Sequence, residues 1–273
     1  MCRLYGFRAN EPTKVECSLV CSENALLAQS RRDEIGRRHG DGWGIAYFES
    51  GAPVIVRSAG SADEEAEFRE AATWARGTTV VSHVRRATMG KVSPANTHPF
   101  RHGHWVFAHN GTLDAFPLLR ERFQDAMGPE HRDAIRGATD SEHLFHLLLR
   151  LQERRPEQPL HETLREGLRR VLDWSREAAP EAEVSVNALW TDGERFAGSR
   201  LHRSLWWMER EGVPDCPVCG HRHVRTHASA PYRSISVASE RLTDEPWREV
   251  PDASVFAIDD GPAMRVEPLV ASR

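Results

Sequence analysis

Hydrophobic periodicity changes twice along this chain, and that alternation is what most limits its fold. Short β-branched and aromatic runs bounded by Gly, Pro and Asn come first: Trp43 to Phe48, Val54 to Arg57, Thr79 to His83 and His104 to Ala108. Each has the length and composition of a buried strand. The middle then turns helical. Leu144, Leu147, Leu148 and Leu151 recur on one face, as do Leu160, Leu164, Leu168, Val171 and Leu172. Thr139 with Glu142 reads as a capping box at the start of the first of these helices. Ser61 with Glu64 reads as another, ahead of Phe68, Ala71, Ala72 and Ala75. From Val184 onward strands return in VSVNALW, RFAGS, SLWWM, SISVAS and SVFAI. Strands at both ends flanking central helices predict an α+β fold in which sheets pack together and helices cover them. The Arg- and Glu-rich stretch from Glu153 to Pro159 is too short for a domain boundary. Residues 1–273 therefore read as one domain, with a polar Cys- and His-rich insertion at about 209–230.

Charge and cysteine usage narrow the function. Against 40 acidic residues stand 36 basic ones, a net charge of −4 that carries no footprint for nucleic acid. No apolar run approaches the length of a membrane span, and MCRLYGFRAN lacks the apolar core of an export signal. Five cysteines, an odd number in 273 residues, do not suggest a disulfide framework. The expected location is a reducing cytoplasm.

Cys2 stands directly behind the initiator Met1. If Met1 is removed, one carbon carries both a thiol, with a pKa of about 8.5, and an α-amine, with a pKa of about 7.7–8.0, that can take the thiol's proton through a water. N-terminal nucleophiles work in this way. Polar residues at strand ends supply the rest of a site. SHVRRATMG, Ser82 to Gly90, sets two arginines and a threonine behind an apolar strand, where a fixed guanidinium can hold a carboxylate bidentately; a surface arginine pair is the plainer reading. In HNGTL, His109 to Leu113, the Asn110–Gly111 pair reads either as a hairpin turn or as two donors, the side-chain amide and a backbone N–H, for an oxyanion. Asp140 in TDSE reads either as a first-turn acid favoured by the helix dipole or as the partner of a substrate ammonium.

Taken in order, Cys2, GDGWGIA (Gly40 to Ala46), HVRRAT (His83 to Thr88), NTHPF (Asn96 to Phe100), HNG and TDSE resemble the class II glutamine amidotransferases, the N-terminal-nucleophile glutaminases. VASERLTDEPWREVP, Val237 to Pro251, looks like that family's closing strands. The resemblance implies a four-layer αββα sandwich of two antiparallel sheets. It also implies attack by Cys2 on a γ-glutamyl amide, an oxyanion held by Asn110 and Gly111, a substrate α-carboxylate on Arg85 and an α-ammonium on Asp140. Thr88 and the Gly42–Trp43 backbone would line the same pocket. Glucosamine-6-phosphate synthase, a family member, has Trp and His where this chain has Arg86 and Met89. With no synthase domain after the closing strands, the chain looks most like the stand-alone branch that includes the ergothioneine-pathway and glutathione-degradation amidohydrolases. That implies hydrolysis of a small γ-glutamyl substrate, with no cofactor required for catalysis. The alternatives are a glutaminase subunit working with a synthetase partner and a catalytically silent module that senses glutamine or docks to a synthetase.

DCPVCGHRHVRTH, Asp215 to His227, belongs to none of these motifs. Cys216 and Cys219 have the two-residue gap of a zinc knuckle, and His221, His223 and His227 are available to complete a tetrahedral structural site. The competing reading is a polar insertion with free thiols. Cys17 and Cys21 read as small buried hydrophobes rather than ligands.

Overall fold

The computed structural model describes residues 2–213, 215–224 and 231–270. Among these residues two antiparallel sheets lie face to face. The first has seven strands: β1 (Arg3–Lys14), β2 (Trp43–Glu49), β3 (Ala52–Ser58), β4 (Arg76–Val84), β9 (Trp206–Glu211), β10 (Arg233–Ala238) and β11 (Arg248–Glu249). Their order is β11-β9-β10-β1-β4-β2-β3, so β1 is internal, held by β10 on one side and β4 on the other. The second sheet has six: β5 (Phe100–His102), β6 (Trp105–Leu113), β7 (Val184–Thr191), β8 (Phe196–Arg200), β12 (Ser254–Ile258) and β13 (Met264–Pro268), in the order β13-β12-β8-β7-β6-β5. Helices α1 (Leu26–Arg31) and α2 (Ala66–Trp74) cover the first sheet. The outer face of the second carries α3 (Phe116–Ala134), α4 (Asp140–Arg154) and α5 (Leu160–Ala178).

Strand alternation divides the apolar residues among three layers. Leu4 on β1, Ala46 on β2 and Val81 on β4 point inward and meet Ala108, Leu189 and Phe256 of the facing sheet. Tyr5, Phe7 and Trp43 point the other way and pack with Leu26, Leu27 and Phe68 of the covering helices. Behind the second sheet, Phe107, Val186 and Trp190 pack against Phe116, Leu144, Leu148, Leu164 and Leu168. The result is the αββα sandwich that the resemblance implies.

Three local readings need correction. At Thr139 the cap forms, its Oγ1 accepting the Glu142 N–H at 3.2 Å, but the Glu142 carboxylate turns to the N–H groups of Arg136 and Gly137. The Ser61–Glu64 box does not form at all. α2 starts only at Ala66 with Glu65 as its cap residue, because the Ser61 hydroxyl is taken up by Asp63. The Asn110–Gly111 pair is not a hairpin turn either. β6 runs through it to Leu113, placing Asn110 opposite Asn187 and Gly111 opposite Val186, and the Ser185 carbonyl crowds the space a side chain at position 111 would need.

Close approach of the sheets at β1 depends on Gly6. A Cβ there would stand 2.9 Å from Leu189 and 3.0 Å from Phe196 across the layer. Gly6→Val should therefore lower unfolding stability by about 1–3 kcal/mol through overpacking. Urea denaturation of the variant against wild type measures this, and an unchanged midpoint would show that the layer has room to spare.

Candidate active site

Cys2 stands directly before β1, two residues ahead of Leu4, whose side chain packs toward the facing sheet. Its position is fixed by Arg3. The Arg3 guanidinium is buried and donates to Glu240 at 2.7 Å, to Asp33 at 2.6 Å and to the Cys2 carbonyl at 3.0 Å. The next residue is tied as firmly: Leu4 N–H donates to the Ser239 hydroxyl at 2.9 Å, and Ser239 N–H returns a bond to the Leu4 carbonyl at 3.1 Å. Cys2 itself is half-buried. Its Sγ lies 3.4 Å from both the N–H and the carbonyl of Arg86, the residue two past the end of β4. Burial pushes the Cys2 thiol up, opposed by the Arg86 N–H and by the positive charges of Arg85 and Arg3.

The loop behind β4 is fastened to the loop before β2. Arg85 N–H donates to the Gly42 carbonyl at 2.7 Å, Asp41 N–H to the Arg85 carbonyl at 3.0 Å, and Ala87 N–H to the Asp41 carboxylate at 2.8 Å. Gly42 has φ +136°, and a Cβ there would meet Thr97 at 2.8 Å, so this crossing needs glycine. The Arg85 side chain is only 2% exposed and donates to the main-chain carbonyls of Met89 at 2.8 Å and Lys91 at 3.2 Å, ordering the turn beside Cys2. Behind it the His83 and His98 rings pack at a tilt, centroids 4.3 Å apart, both held neutral by burial, with the Arg85 charge adding to the effect.

Asn110, also 2% exposed, shares its face of β6 with Ala108, toward the first sheet. Its Nδ2 lies 3.4 Å from the same Ser239 hydroxyl that holds Leu4, and its Oδ1 is buried with no partner among the described residues. One hydroxyl thus links the backbone behind Cys2 to the Asn110 amide across the two sheets, and the amide oxygen remains a free acceptor among the described residues. Asp140 opens α4. Its carboxylate accepts from Leu113 N–H at 2.9 Å and Ser141 N–H at 2.8 Å, fixing the end of β6 to the helix, and its charge acts on Arg85.

Other residues singled out from the sequence lie differently. The Trp43 side chain is wholly buried under α2, against Phe68 with ring centroids at 5.2 Å and bonded to Glu65 at 2.6 Å, so it lies on the helix side of the first sheet and does not line the site. Thr88 is exposed. In the insertion, Cys216, Cys219 and His223 come together, but His221 is exposed and closes the turn through its carbonyl, which accepts Cys216 N–H at 3.1 Å. Its place in the cluster is taken by Cys17, which sequence reading set aside as a small hydrophobe. His227 lies outside the described residues. Sequence reasoning also passed over Arg3, Asp33, Ser239 and Glu240. The Ser239–Glu240 pair in VASERL is the signal available for two of them.

With this geometry in place the comparisons are specific. The family model for class-II glutamine amidotransferases matches residues 1–271. The chain belongs to that family and is an enzyme of it. It is 28% identical over 295 residues to the probable glutamine amidotransferase DUG3 of Saccharomyces cerevisiae, covering 94% of this chain and 82% of the yeast protein. It is 33% identical over 118 residues to the γ-glutamyl-hercynylcysteine sulfoxide hydrolase of Mycobacterium tuberculosis, covering 42% of this chain and 50% of that one. A glutamine aminotransferase class-II domain protein from Silicibacter pomeroyi superposes with a TM-score of 0.65 at 21% identity, covering 99% of this chain and all of that one. Among the described residues no helix is long and apolar enough to cross a membrane.

The Arg3 network sets a pH dependence. Burial, aided by Arg3, lowers the pKa of His39 to about 4, and His39 bonds to Asp33 at 3.0 Å. Burial works to raise the Asp33 carboxyl, but the Arg37 N–H and Arg3 hold it below the usual carboxylate range. Unfolded His39 takes up its proton near 6.5 and the folded residue only near 4, so stability is lost as pH falls across that window. Denaturation at pH 7 and pH 5 should show less acid destabilisation for His39→Gln than for wild type, and an equal loss in both would contradict this origin.

Proposed function

We propose that the enzyme hydrolyses the γ-glutamyl amide of glutamine or of a γ-glutamyl conjugate, through a γ-glutamyl thioester on Cys2. The observation that carries this reading is the placement of the Cys2 sulfur, 3.4 Å from the Arg86 N–H, with the Ser239 hydroxyl joining the Leu4 backbone to the Asn110 Nδ2. Once Met1 is gone, the Cys2 α-amine takes the thiol proton, and the thiolate attacks the γ-carbonyl carbon. The Asn110 Nδ2 and the Gly111 N–H are the two donors for the oxyanion that forms. Collapse of this intermediate breaks the C–N bond, and the α-ammonium returns the proton to the departing amine. A water, deprotonated by the same amine, then attacks the thioester, releasing glutamate and restoring the thiol. The Arg85 charge attracts the substrate α-carboxylate, while its bonds to the Met89 and Lys91 carbonyls hold the turn over the site. Asp140 faces the α-ammonium. The mycobacterial relative, named for a γ-glutamyl-hercynylcysteine sulfoxide, supports a conjugate larger than glutamine as substrate.

Replacements separate these roles. Cys2→Ala should abolish turnover with an unaltered thermal melt, and an uncleaved N-terminal tag on wild type should do the same. Asn110→Ala should lower kcat by about 10²–10³ with a smaller change in KM. Arg85→Ala and Asp140→Asn should chiefly raise KM. Steady-state assays on glutamine, glutathione and γ-glutamyl anilide check all four, and full activity in Cys2→Ala or in the tagged protein would refute the mechanism.

A further inference from the structure

The thiols of Cys17, Cys216 and Cys219 and a ring nitrogen of His223 lie within 4.8 Å of one another. They come from opposite ends of the sequence. Cys17 opens a single wide helical turn, Cys17–Cys21, just past β1, whereas the other three sit in the insertion between β9 and β10. We propose that these four side chains bind a structural zinc ion that clamps the insertion to the end of β1.

Three observations support the assignment. Zinc with three thiolates and an imidazole is tetrahedral, with bonds of about 2.0–2.3 Å, which sets ligand atoms roughly 3.3–3.8 Å apart. The cluster already lies inside a limit only slightly wider, and Cys219 Sγ is 3.1 Å from His223 Nε2. The backbone around Cys216 is also shaped for a metal-bound sulfur. Val218 N–H points at Cys216 Sγ at 3.4 Å, Gly220 N–H bonds to the Cys216 carbonyl at 2.8 Å, and Gly220 takes φ +71° to close the turn. Finally, the insertion is already sewn to the same end of β1: Lys14 N–H donates to the His223 carbonyl at 3.1 Å, and Thr13 pairs with Val224. A soft S₃N set selects zinc over magnesium or calcium, which take oxygen ligands.

The ion has a structural task. All four donors are filled by protein, which leaves no open position for substrate. The knuckle carries Pro217 and Val218, which wall a groove together with Asp33, Glu34 and Glu240, the last of which shares the Arg3 guanidinium with Asp33. Binding Zn²⁺ releases a proton for every thiol that enters as a thiol, so the coordination is pH-dependent. The proposal does not depend on the reaction assigned to Cys2.

The experiment is metal analysis and cobalt spectroscopy on the full-length protein, purified without chelator from zinc-supplemented cells. The protein should carry about one zinc per chain, released by a mercurial thiol reagent, and Co²⁺ exchanged into the site should show intense thiolate-to-metal charge transfer with tetrahedral d–d bands. Neither measurement needs a variant, so both stand if a ligand replacement fails to fold. Cys17→Ser and Cys219→Ser should lower zinc to below about a tenth of an equivalent, whereas the neighbouring Cys21→Ser and His221→Ala should keep it. Chelation should expose the insertion to protease. Protein with less than about half an equivalent of metal, a cobalt spectrum without thiolate charge transfer, a disulfide among these cysteines, or full zinc in Cys17→Ser would each overturn the proposal.

Discussion

The structure turns on one buried cation. The Arg3 guanidinium, withdrawn from water, is bound by Asp33 and Glu240, which come from a loop after α1 and from the segment after β10. Burying such a group costs several kcal/mol unless its partners are well placed, and removing one partner leaves the others uncompensated. That penalty makes the arrangement specific: the chain's first residues can enter the sheet in one register, between β4 and β10, with Cys2 beyond its end. An N-terminal residue ordinarily frays. Here Arg3 holds the Cys2 carbonyl, the Arg86 backbone holds the Cys2 sulfur, and the Ser239 hydroxyl holds the Leu4 N–H.

The same logic explains how polar groups are tolerated so near the inter-sheet core. Arg85 spends its donors on main-chain carbonyls, Asp140 accepts from two backbone N–H groups, and Asp41 links two loops. Among the described residues the exceptions near the site are the Asn110 Oδ1 and the ring nitrogens of His83 and His98, which have no partner. An orphaned polar atom is costly in the free protein, and a ligand that satisfies it recovers that cost on binding.

Much of this was legible in the sequence, for identifiable reasons. β2, β4, β7, β8 and β12 are short apolar runs with turn residues at their ends, and α4 and α5 have strong one-sided periodicity. β1 was not read as a strand because Leu4 and Gly6 serve one core and Tyr5 and Phe7 another, so apolar residues line both faces and alternation is lost. α3 was missed because Gly128 and Pro129 break its pattern and kink it. At the site, Cys2, Arg85, Asn110, Gly111 and Asp140 were visible as motif residues. Asp33, Ser239 and Glu240 were not, since their importance comes from meeting Arg3 and Leu4 across more than two hundred positions for the latter two. Cys17 was set aside for the same reason: its neighbours in space are remote in sequence, and spacing alone cannot report them.

The central claim, that Cys2 is the nucleophile of a γ-glutamyl site, is tested most directly by covalent labelling. A glutamine analogue with an electrophile in place of the γ-carboxamide, followed by mass spectrometry of the intact chain and of its N-terminal peptide, identifies the reacting atom without assuming a natural substrate. The account predicts one label per chain, on Cys2 of protein lacking Met1, with glutamate protecting against it. Labelling of another cysteine with Cys2 unmodified, or a labelled chain that still carries Met1, would contradict it.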